Sequence, residues 1–182
     1  MDLPSVNNEQ GRALRATCPR SSHAVHNARD DSADALQLIE QSNADRIPGL
    51  IPVRYHRMSQ SPFAFFRGSA IVQAHDLSET PASGPNVQLC GDCHVLNFGG
   101  FATPERNLIF DINDFDETFP GPWEWDLKRL TTSLVLAARD RSFSKVVARD
   151  AALAAAASYR EKMAEYAQLS ALELWYSRVS FA

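Results

Sequence analysis

The chain has few of the features that mark secreted, membrane-spanning or nucleic-acid-binding proteins. Its three cysteines are too few, and odd in number, for a disulfide framework. Its longest unbroken apolar run is seven residues, 151–157, whereas a bilayer span needs roughly 20. Lysine and arginine total 18 against 22 acidic residues, so no basic excess exists for nucleic acid or an anionic membrane. Residues 1–5 lack the charges and apolar run of a secretory signal. These absences predict a cytoplasmic protein with neither membrane nor nucleic acid as a partner.

The composition is that of one globular domain. Of 182 residues, 45% are apolar and 22% are charged, which is enough apolar material for a core. Residues 1–30 are polar and show no sustained period, so we expect a flexible, irregular N-terminal arm followed by a folded part over 31–182. Asp31 or Ser32 is placed to cap a first helix that extends to about Ala44.

The remaining pattern predicts a small sheet among several helices, an α/β (α+β) fold. Ser61 and Pro62 have the residue types of a helix start. The other predicted elements are a helix over 70–77, a strand over 87–90, a hairpin of strands 98–102 and 107–112, a turn over 119–122, and helices over 123–141 and 144–168.

Two acidic clusters follow predicted strands. Asp92 and Asn97 stand five residues apart after Gly91, and the stretch Asp111–Glu117 holds four acids. Any one of these acids could simply cap a turn. Several at neighbouring strand ends repel one another unless a cation is present. Carboxylate and amide oxygens are the ligands that Mg²⁺ takes, with substrate phosphates completing the coordination.

These clusters resemble a known catalytic arrangement. Gly91-Asp92-Cys93-His94, with Asn97 three residues on, is similar to the G-D-x-H-x-x-N loop of aminoglycoside phosphotransferases and choline kinases. Residues 108–115 resemble the strand that follows it there, and 121–127 resemble their next helix start. One departure is Cys90, which stands where those enzymes usually carry histidine.

A closer resemblance covers residues 47–139. Arg57–Gly68, Gln88–Gly99 and Asn113–Asp126 match three motifs of an uncharacterised bacterial family, a domain of unknown function. The chain is identified from these motifs as a member of that family.

The resemblance to the phosphotransferases implies a kinase-like catalytic lobe that transfers the γ-phosphoryl group of ATP to a hydroxyl of an unknown small molecule or protein. It implies a catalytic base at Asp92 and ligands for Mg²⁺ (or Mn²⁺) at Asn97 and Asp114, with Asp116 as a further metal contact. Its supporting residues are His94, Asp111 and Asp126. Arg67, beside Gly68 at an expected bend, is a candidate clamp for the phosphates of the cofactor.

The nucleotide-binding features of such enzymes are missing before Gly91. No glycine-rich turn precedes it, and the first lysine is Lys128, inside a predicted helix. Relatives in the closer family continue past residue 182, so we expect a truncated catalytic lobe whose C-terminal lobe is missing. The alternative is a non-catalytic remnant or metal-binding interaction module, and a hydrolase using the same acids is a third candidate.

A second chemistry fits the first cluster. Cys90, Cys93 and His94 form C-x-x-C-H, the attachment motif of c-type haem, although haem attachment needs export. Zinc bound by Cys90, Cys93 and a histidine, either His94 or the distant His75 or His56, is a related alternative. The plainer interpretation makes both cysteines small apolar core residues.

Overall fold

The computed structural model describes residues 3–25 and 33–180, and it has the mixed α+β fold that the sequence predicts. Its α-helices are α1 (Leu3–Thr17), α2 (Ala33–Gln41), α3 (Ile51–Met58), α4 (Pro62–Arg67), α5 (Ala70–Ser78), α6 (Glu124–Asp140), α7 (Lys145–Tyr166) and α8 (Ala171–Tyr176). Its strands are β1 (Asn86–Leu89), β2 (Phe98–Ala102), β3 (Leu108–Ile112), β4 (Phe119–Pro122) and β5 (Val179–Ser180). Short 3₁₀ turns cover Arg20–Ala24, Pro48–Leu50 and Val95–Asn97.

The helix starts follow local capping chemistry. The Ser61 hydroxyl accepts a hydrogen bond from the Ala64 amide, and Pro62 fills the first turn of α4. The Ser144 hydroxyl accepts from the Val147 amide at the start of α7. The predicted bounds of α5, α6 and α7 therefore agree with the structure within two residues.

The strands form two small antiparallel sheets. β2 and β3 pair as the predicted hairpin, with Phe98 opposite Ile112, and β5 adds to the other side of β3. β1 pairs with β4, with Leu89 opposite Phe119. The predicted turn at 119–122 is therefore wrong. Proline and glycine dominate β4, and proline is tolerated there because a two-stranded sheet has only edge strands.

The N-terminal prediction is wrong in its local structure. We expected no regular element over residues 1–30, but Leu3–Thr17 is helical. The mobility of that segment stays a prediction, and the expected caps Asp31 and Ser32 lie outside the described residues. The sequence also gave no indication of α3 or α8.

Buried residues form an apolar cluster and a polar one. Ile39, Met58 and Val72 make the apolar core between α2, α3 and α5. Residues 127, 130, 134 and 137 form an apolar stripe on α6, and this stripe is only half-buried. The deeply buried side chains there include Glu124, Arg129 and Ser133. The inner face of α6 is thus polar, and it faces the loop that follows β1.

Within residues 3–25 and 33–180, no helix has both the length and the apolar character needed to cross a membrane.

Candidate functional site

The loop 91–97, which we call the acidic loop, connects β1 to β2 and is anchored to the start of α6. The Asp126 carboxylate accepts the Cys90 amide at 2.7 Å and the Gly91 amide at 3.1 Å. Burial raises the pKa of Asp126, while these two hydrogen bonds act in the opposite direction. The structure thus places Asp126 under the loop, where it fixes the backbone on which Asp92 is carried.

Further hydrogen bonds close the acidic loop on itself. The Asn97 side-chain amide donates to the Asp92 carbonyl at 2.8 Å, and the His94 amide donates to the same oxygen at 2.7 Å. The Val95 amide donates to the hydroxyl of Ser133, which is fully buried on α6. These contacts give Asp92 a fixed backbone position.

The Asp92 carboxylate lies mostly buried beside two basic side chains. The guanidinium of Arg129 forms an ion pair with its Oδ1, and His94 Nε2 lies 3.6 Å from its Oδ2. Burial is the main cause that lowers the pKa of His94, although the Asp92 charge raises it. Arg129 is therefore the cation that compensates Asp92, with His94 as a neutral neighbour at pH 7.

Sequence reasoning missed Arg129. This arginine is only 2% exposed, and it also donates to Gln73 Oε1 at 2.7 Å and to the Phe66 carbonyl at 2.8 Å. Its guanidinium carbon lies 4.4 Å from the centroid of the Phe66 ring. The available signal was spacing, because Asp126, Arg129 and Ser133 recur at three and four residues and so share one helix face.

The second acidic cluster follows β3, and most of it is exposed. The Asp114 carboxylate accepts the Asp116 amide at 3.3 Å, and Asp111 accepts the amide of its neighbour Ile112 at 2.8 Å. Asp111, Asp114 and Asp116 are therefore available to solvent, while Glu117 is half-buried.

Strand pairing brings the two clusters together. The Asn113 amide donates to the Asn97 carbonyl at 3.0 Å, which continues the β2–β3 register by one pair. The Asn113 side chain lies over Gly99, where an added Cβ would be 2.8 Å from its amide nitrogen. Asp114, the next residue, consequently starts beside the end of the acidic loop.

The donor chemistry of Asn97 and Asp114 suits a hard cation. The Asn97 amide nitrogen is engaged with Asp92, so its oxygen is the atom left for another partner. Magnesium typically takes one or two protein carboxylates and completes its coordination with phosphates and water. In the described part of the chain, no three His, Cys, Asp or Glu side chains are grouped to hold a metal. That criterion requires three such side chains. A site with one asparagine and one aspartate, completed by phosphate and water, does not meet it and is compatible with its negative result.

Arg54 and Arg67, which are close in the sequence, differ in how far other groups engage them. Arg54 is committed to structure, because it donates to Asn43 Oδ1 at 2.6 Å and to the Gly68 carbonyl at 2.7 Å. Arg67 is exposed, and no hydrogen-bond or ion-pair partner occurs for it among the described residues. Its charge contributes to the lowered pKa of His94, after burial and Arg129. Arg67 is therefore a free cation near the loop.

The residues on which the haem and zinc alternatives depend are buried. Cys90, Cys93 and His94 are 4%, 5% and 3% exposed, and both cysteines are free thiols. A haem attached there would need open space beside both sulfurs, but these side chains are packed among their neighbours. His56 is exposed on α3 and belongs to no metal-holding group in the described ranges.

Comparison with known proteins places the chain in a family. The family model described as an uncharacterized protein conserved in bacteria, DUF2252, matches residues 46–182. The chain belongs to this family. Neither the curated proteins nor the solved structures contain a match. The match begins one residue before the segment that carries the three motifs, and it leaves α1 and α2 outside.

Stability should fall as pH rises through the titration of Glu117. Burial is the main cause that raises its pKa, followed by the charges of Asp92 and Asp114. The folded state therefore binds more protons than the unfolded state above the usual glutamate pKa, so ionisation favours unfolding. In buffer with a chelator, we expect Glu117→Gln to raise the melting temperature at pH 7 and to change it little at pH 4. An equal shift of the melting temperature at pH 4 and pH 7 would contradict a raised pKa of Glu117.

Proposed function

We propose that this chain carries the catalytic loop of a Mg²⁺-dependent phosphotransferase that moves the γ-phosphoryl group of ATP to a hydroxyl. The proposal rests on one observation above all, the acidic loop held by Asp126 with the start of the Asp114–Glu117 segment beside it. Phosphoryl transfer depends on positioning and charge stabilisation more than on covalent chemistry by the protein. A rigid loop that presents a carboxylate next to hard oxygen donors suits that requirement.

Each residue has a separate part in the proposed reaction. Asp92 accepts the hydrogen bond of the acceptor hydroxyl, orients its oxygen and receives its proton. Asn97, Asp114 and Asp116 would hold Mg²⁺, which when bound neutralises the phosphate oxygens. Arg67, with no partner among the described residues, supplies a cation for the phosphates. Arg129 and Asp126 hold Asp92 and its backbone in place.

The proposed metal site predicts that the variant Asp114→Ala loses the stabilisation caused by Mg²⁺ or Mn²⁺. Mg²⁺ or Mn²⁺ should raise the melting temperature of the unmodified chain, because a ligand that binds only the folded state stabilises it. Asp114→Ala should remove that increase and leave the melting temperature without metal within a few degrees. Asp111→Ala is the matched control, since it removes an exposed carboxylate of the same hairpin that, among the described residues, accepts a hydrogen bond from the amide of its neighbour Ile112 alone. A full metal response in Asp114→Ala would reject this ligand.

The competing candidate is a non-catalytic metal-binding or interaction module. The contact that favours it is the ion pair between Asp92 and buried Arg129, since a carboxylate so engaged can serve structure alone. The variant Asp92→Asn separates a catalytic from a structural role of this carboxylate. The measurements are phosphate released or transferred from Mg²⁺-ATP and, in parallel, nucleotide binding. For a catalytic base, turnover should fall by about 10²–10⁴-fold with binding retained. Parallel loss of binding and turnover would indicate the structural role.

A further inference from the structure

A second concave region lies outside the acidic loop. Residues of α4, α5 and α6 and of the 3₁₀ turn Arg20–Ala24 line a cavity of about 670 Å³, and small-molecule sites typically occupy roughly 300–1,000 Å³. None of the described residues that the proposed function uses lines this cavity. The chemistry of its own lining therefore indicates what it can bind.

Much of the cavity wall is apolar. Val25 and Phe65 line it with 53% and 39% of their surfaces exposed, and the half-buried Leu77 and Leu136 line it as well. Apolar side chains that face solvent inside a concave surface are typical of ligand sites, because an apolar ligand releases the water that covers them. The cavity therefore suits a ligand with an apolar body.

Lys128 supplies a positive charge to this wall. Its ammonium group lies 3.3 Å from the hydroxyl of Thr80, which also lines the cavity. No carboxylate of residues 3–25 or 33–180 forms an ion pair with it. Burial lowers the pKa of Lys128 more than the charge of Glu124 raises it. A partly buried ammonium group without an ion-pair partner is costly, so an anion bound in the cavity would be stabilised there.

Two other titratable side chains of the lining already have contacts. His23 Nε2 lies 3.7 Å from the sulfur of Cys18, and Asp76 has an interaction of its own. Lys128 is therefore the lining group that is best placed to pair with an incoming anion.

We propose that this cavity binds a small carboxylate with an apolar body, whose carboxylate pairs with Lys128 and whose body packs against Phe65 and Leu136. An ammonium group has three N–H donors, and the Thr80 hydroxyl takes one, so two remain for the carboxylate oxygens. One ammonium group also balances the single charge of a carboxylate. A phosphate monoester carries nearly two charges and three oxygens, so it would need further donors. The site does not depend on the proposed phosphotransferase activity.

The wall of the cavity also holds Arg129, the ion-pair partner of Asp92. Gln73 Oε1 and the Phe66 carbonyl both accept hydrogen bonds from the Arg129 guanidinium, and the Phe66 ring lies 4.4 Å from its carbon. Both residues line the cavity. A ligand that packs on them restrains the groups that position Arg129. Binding is therefore expected to change the surroundings of the Asp92 ion pair without a direct contact.

The first test measures binding to the whole chain by melting temperature and titration calorimetry. The probes are 3-phenylpropionate and octanoate, which share a carboxylate and differ in an aromatic or alkyl body, with the neutral 3-phenylpropionamide as control. At millimolar concentration the carboxylates should raise the melting temperature, and the amide should bind about 10–100-fold more weakly, as expected when a hydrogen bond to a charged group is lost. If neither carboxylate binds, or if the amide binds as tightly as 3-phenylpropionate, the proposal is overturned.

Variants locate the bound carboxylate. Lys128→Met keeps an unbranched stem and removes the charge, so it should weaken carboxylate binding by about 10–100-fold and change amide binding little. Lys145→Met is the matched control, since Lys145 is exposed on α7 and does not line this cavity. Thr132→Trp fills the cavity from an exposed position of α6 and should block all three probes. Unchanged carboxylate affinity in Lys128→Met would reject the site.

The coupling to the acidic loop is measured separately in the ¹H–¹⁵N spectrum. A saturating probe should shift the Nε–H signal of Arg129 and the amide signal of Val95, which donates to Ser133 on α6. The amide signals of α8 should stay in place. Shifts confined to the cavity lining would reject the coupling, while the binding site would stand. Neither readout uses phosphoryl transfer, so failure of this proposal and failure of the proposed function can be told apart.

Discussion

Replacing Arg129 with alanine should cost about 3–5 kcal/mol of unfolding free energy, the usual cost of removing one partner from a buried ion pair. The arginine is 2% exposed and is the charged partner of Asp92. Its removal leaves the Asp92 carboxylate buried beside a histidine whose pKa is lowered. It also leaves the Gln73 amide oxygen and the Phe66 carbonyl without their donor. For a chain of this size the melting temperature should fall by about 6–20 °C.

The cause of that loss can be isolated with a double-mutant cycle. Arg129→Met with Asp92→Asn removes both charges and keeps similar volumes, so it should be clearly more stable than Arg129→Met alone. Arg129→Lys should recover little, because one ammonium group cannot replace three directed contacts. Equal losses in Arg129→Met and in the double variant would show that packing, and not the uncompensated carboxylate, causes the effect.

Lys128→Ala is a matched control from the next position of α6. Lys128 is half-buried, and its ammonium group lies 3.3 Å from the Thr80 hydroxyl. Within ranges 3–25 and 33–180, no carboxylate forms an ion pair with it. We expect a loss below about 1 kcal/mol, because the site is partly exposed and a contact of 3.3 Å is long for an N–H···O hydrogen bond. Denaturant unfolding of both variants under one buffer measures the contrast. Similar losses of unfolding free energy in Arg129→Ala and Lys128→Ala would contradict the large contribution expected from the buried ion pair of Arg129.

The sequence predicted the elements whose signals are local. Ser61 and Ser144 each supply a hydroxyl cap, α6 has an apolar helical period and α7 is rich in alanine, so their bounds follow from residues close in the chain. The hairpin of β2 and β3 is also local, with a short connection over 103–107. β4 was missed because its pairing with β1 joins Leu89 to Phe119, and nothing near Phe119 encodes that partner.

The same division holds for the candidate site. The resemblance to the phosphotransferase motifs predicted roles for Asp92, Asn97 and Asp126, and the structure brings these three residues together. Arg129 was not visible, because its role depends on a contact with a residue 37 positions away. Hydrophobic periodicity ranks an arginine as a surface residue. The burial of a polar helix face can therefore be predicted only when the loop that it contacts is known.

Gly91→Ala should unfold the acidic loop, with a loss of about 2–6 kcal/mol from two additive causes. Gly91 has a φ of +82°, which residues with a Cβ adopt at a cost. An added Cβ would also stand 1.9 Å from the Glu117 carbonyl oxygen, so the segment after β3 would have to move. The hydrogen bonds from Cys90 and Gly91 to Asp126 should then be lost, and both amides should exchange their hydrogens faster.

Gly84→Ala separates backbone strain from that close contact. Gly84 has a φ of +109°, but an added Cβ there would stand 3.9 Å from the nearest described atom, Leu14 Cδ2, which is an ordinary contact. Its loss in denaturant unfolding should therefore stay near the strain alone, about 1–3 kcal/mol, and amide exchange at Cys90 and Gly91 should not change. The larger effect of Gly91→Ala then measures how closely the Glu117 backbone packs on the loop. If the two variants lose equal stability and leave the Cys90 amide equally protected, the acidic loop and the Glu117 segment are not in contact.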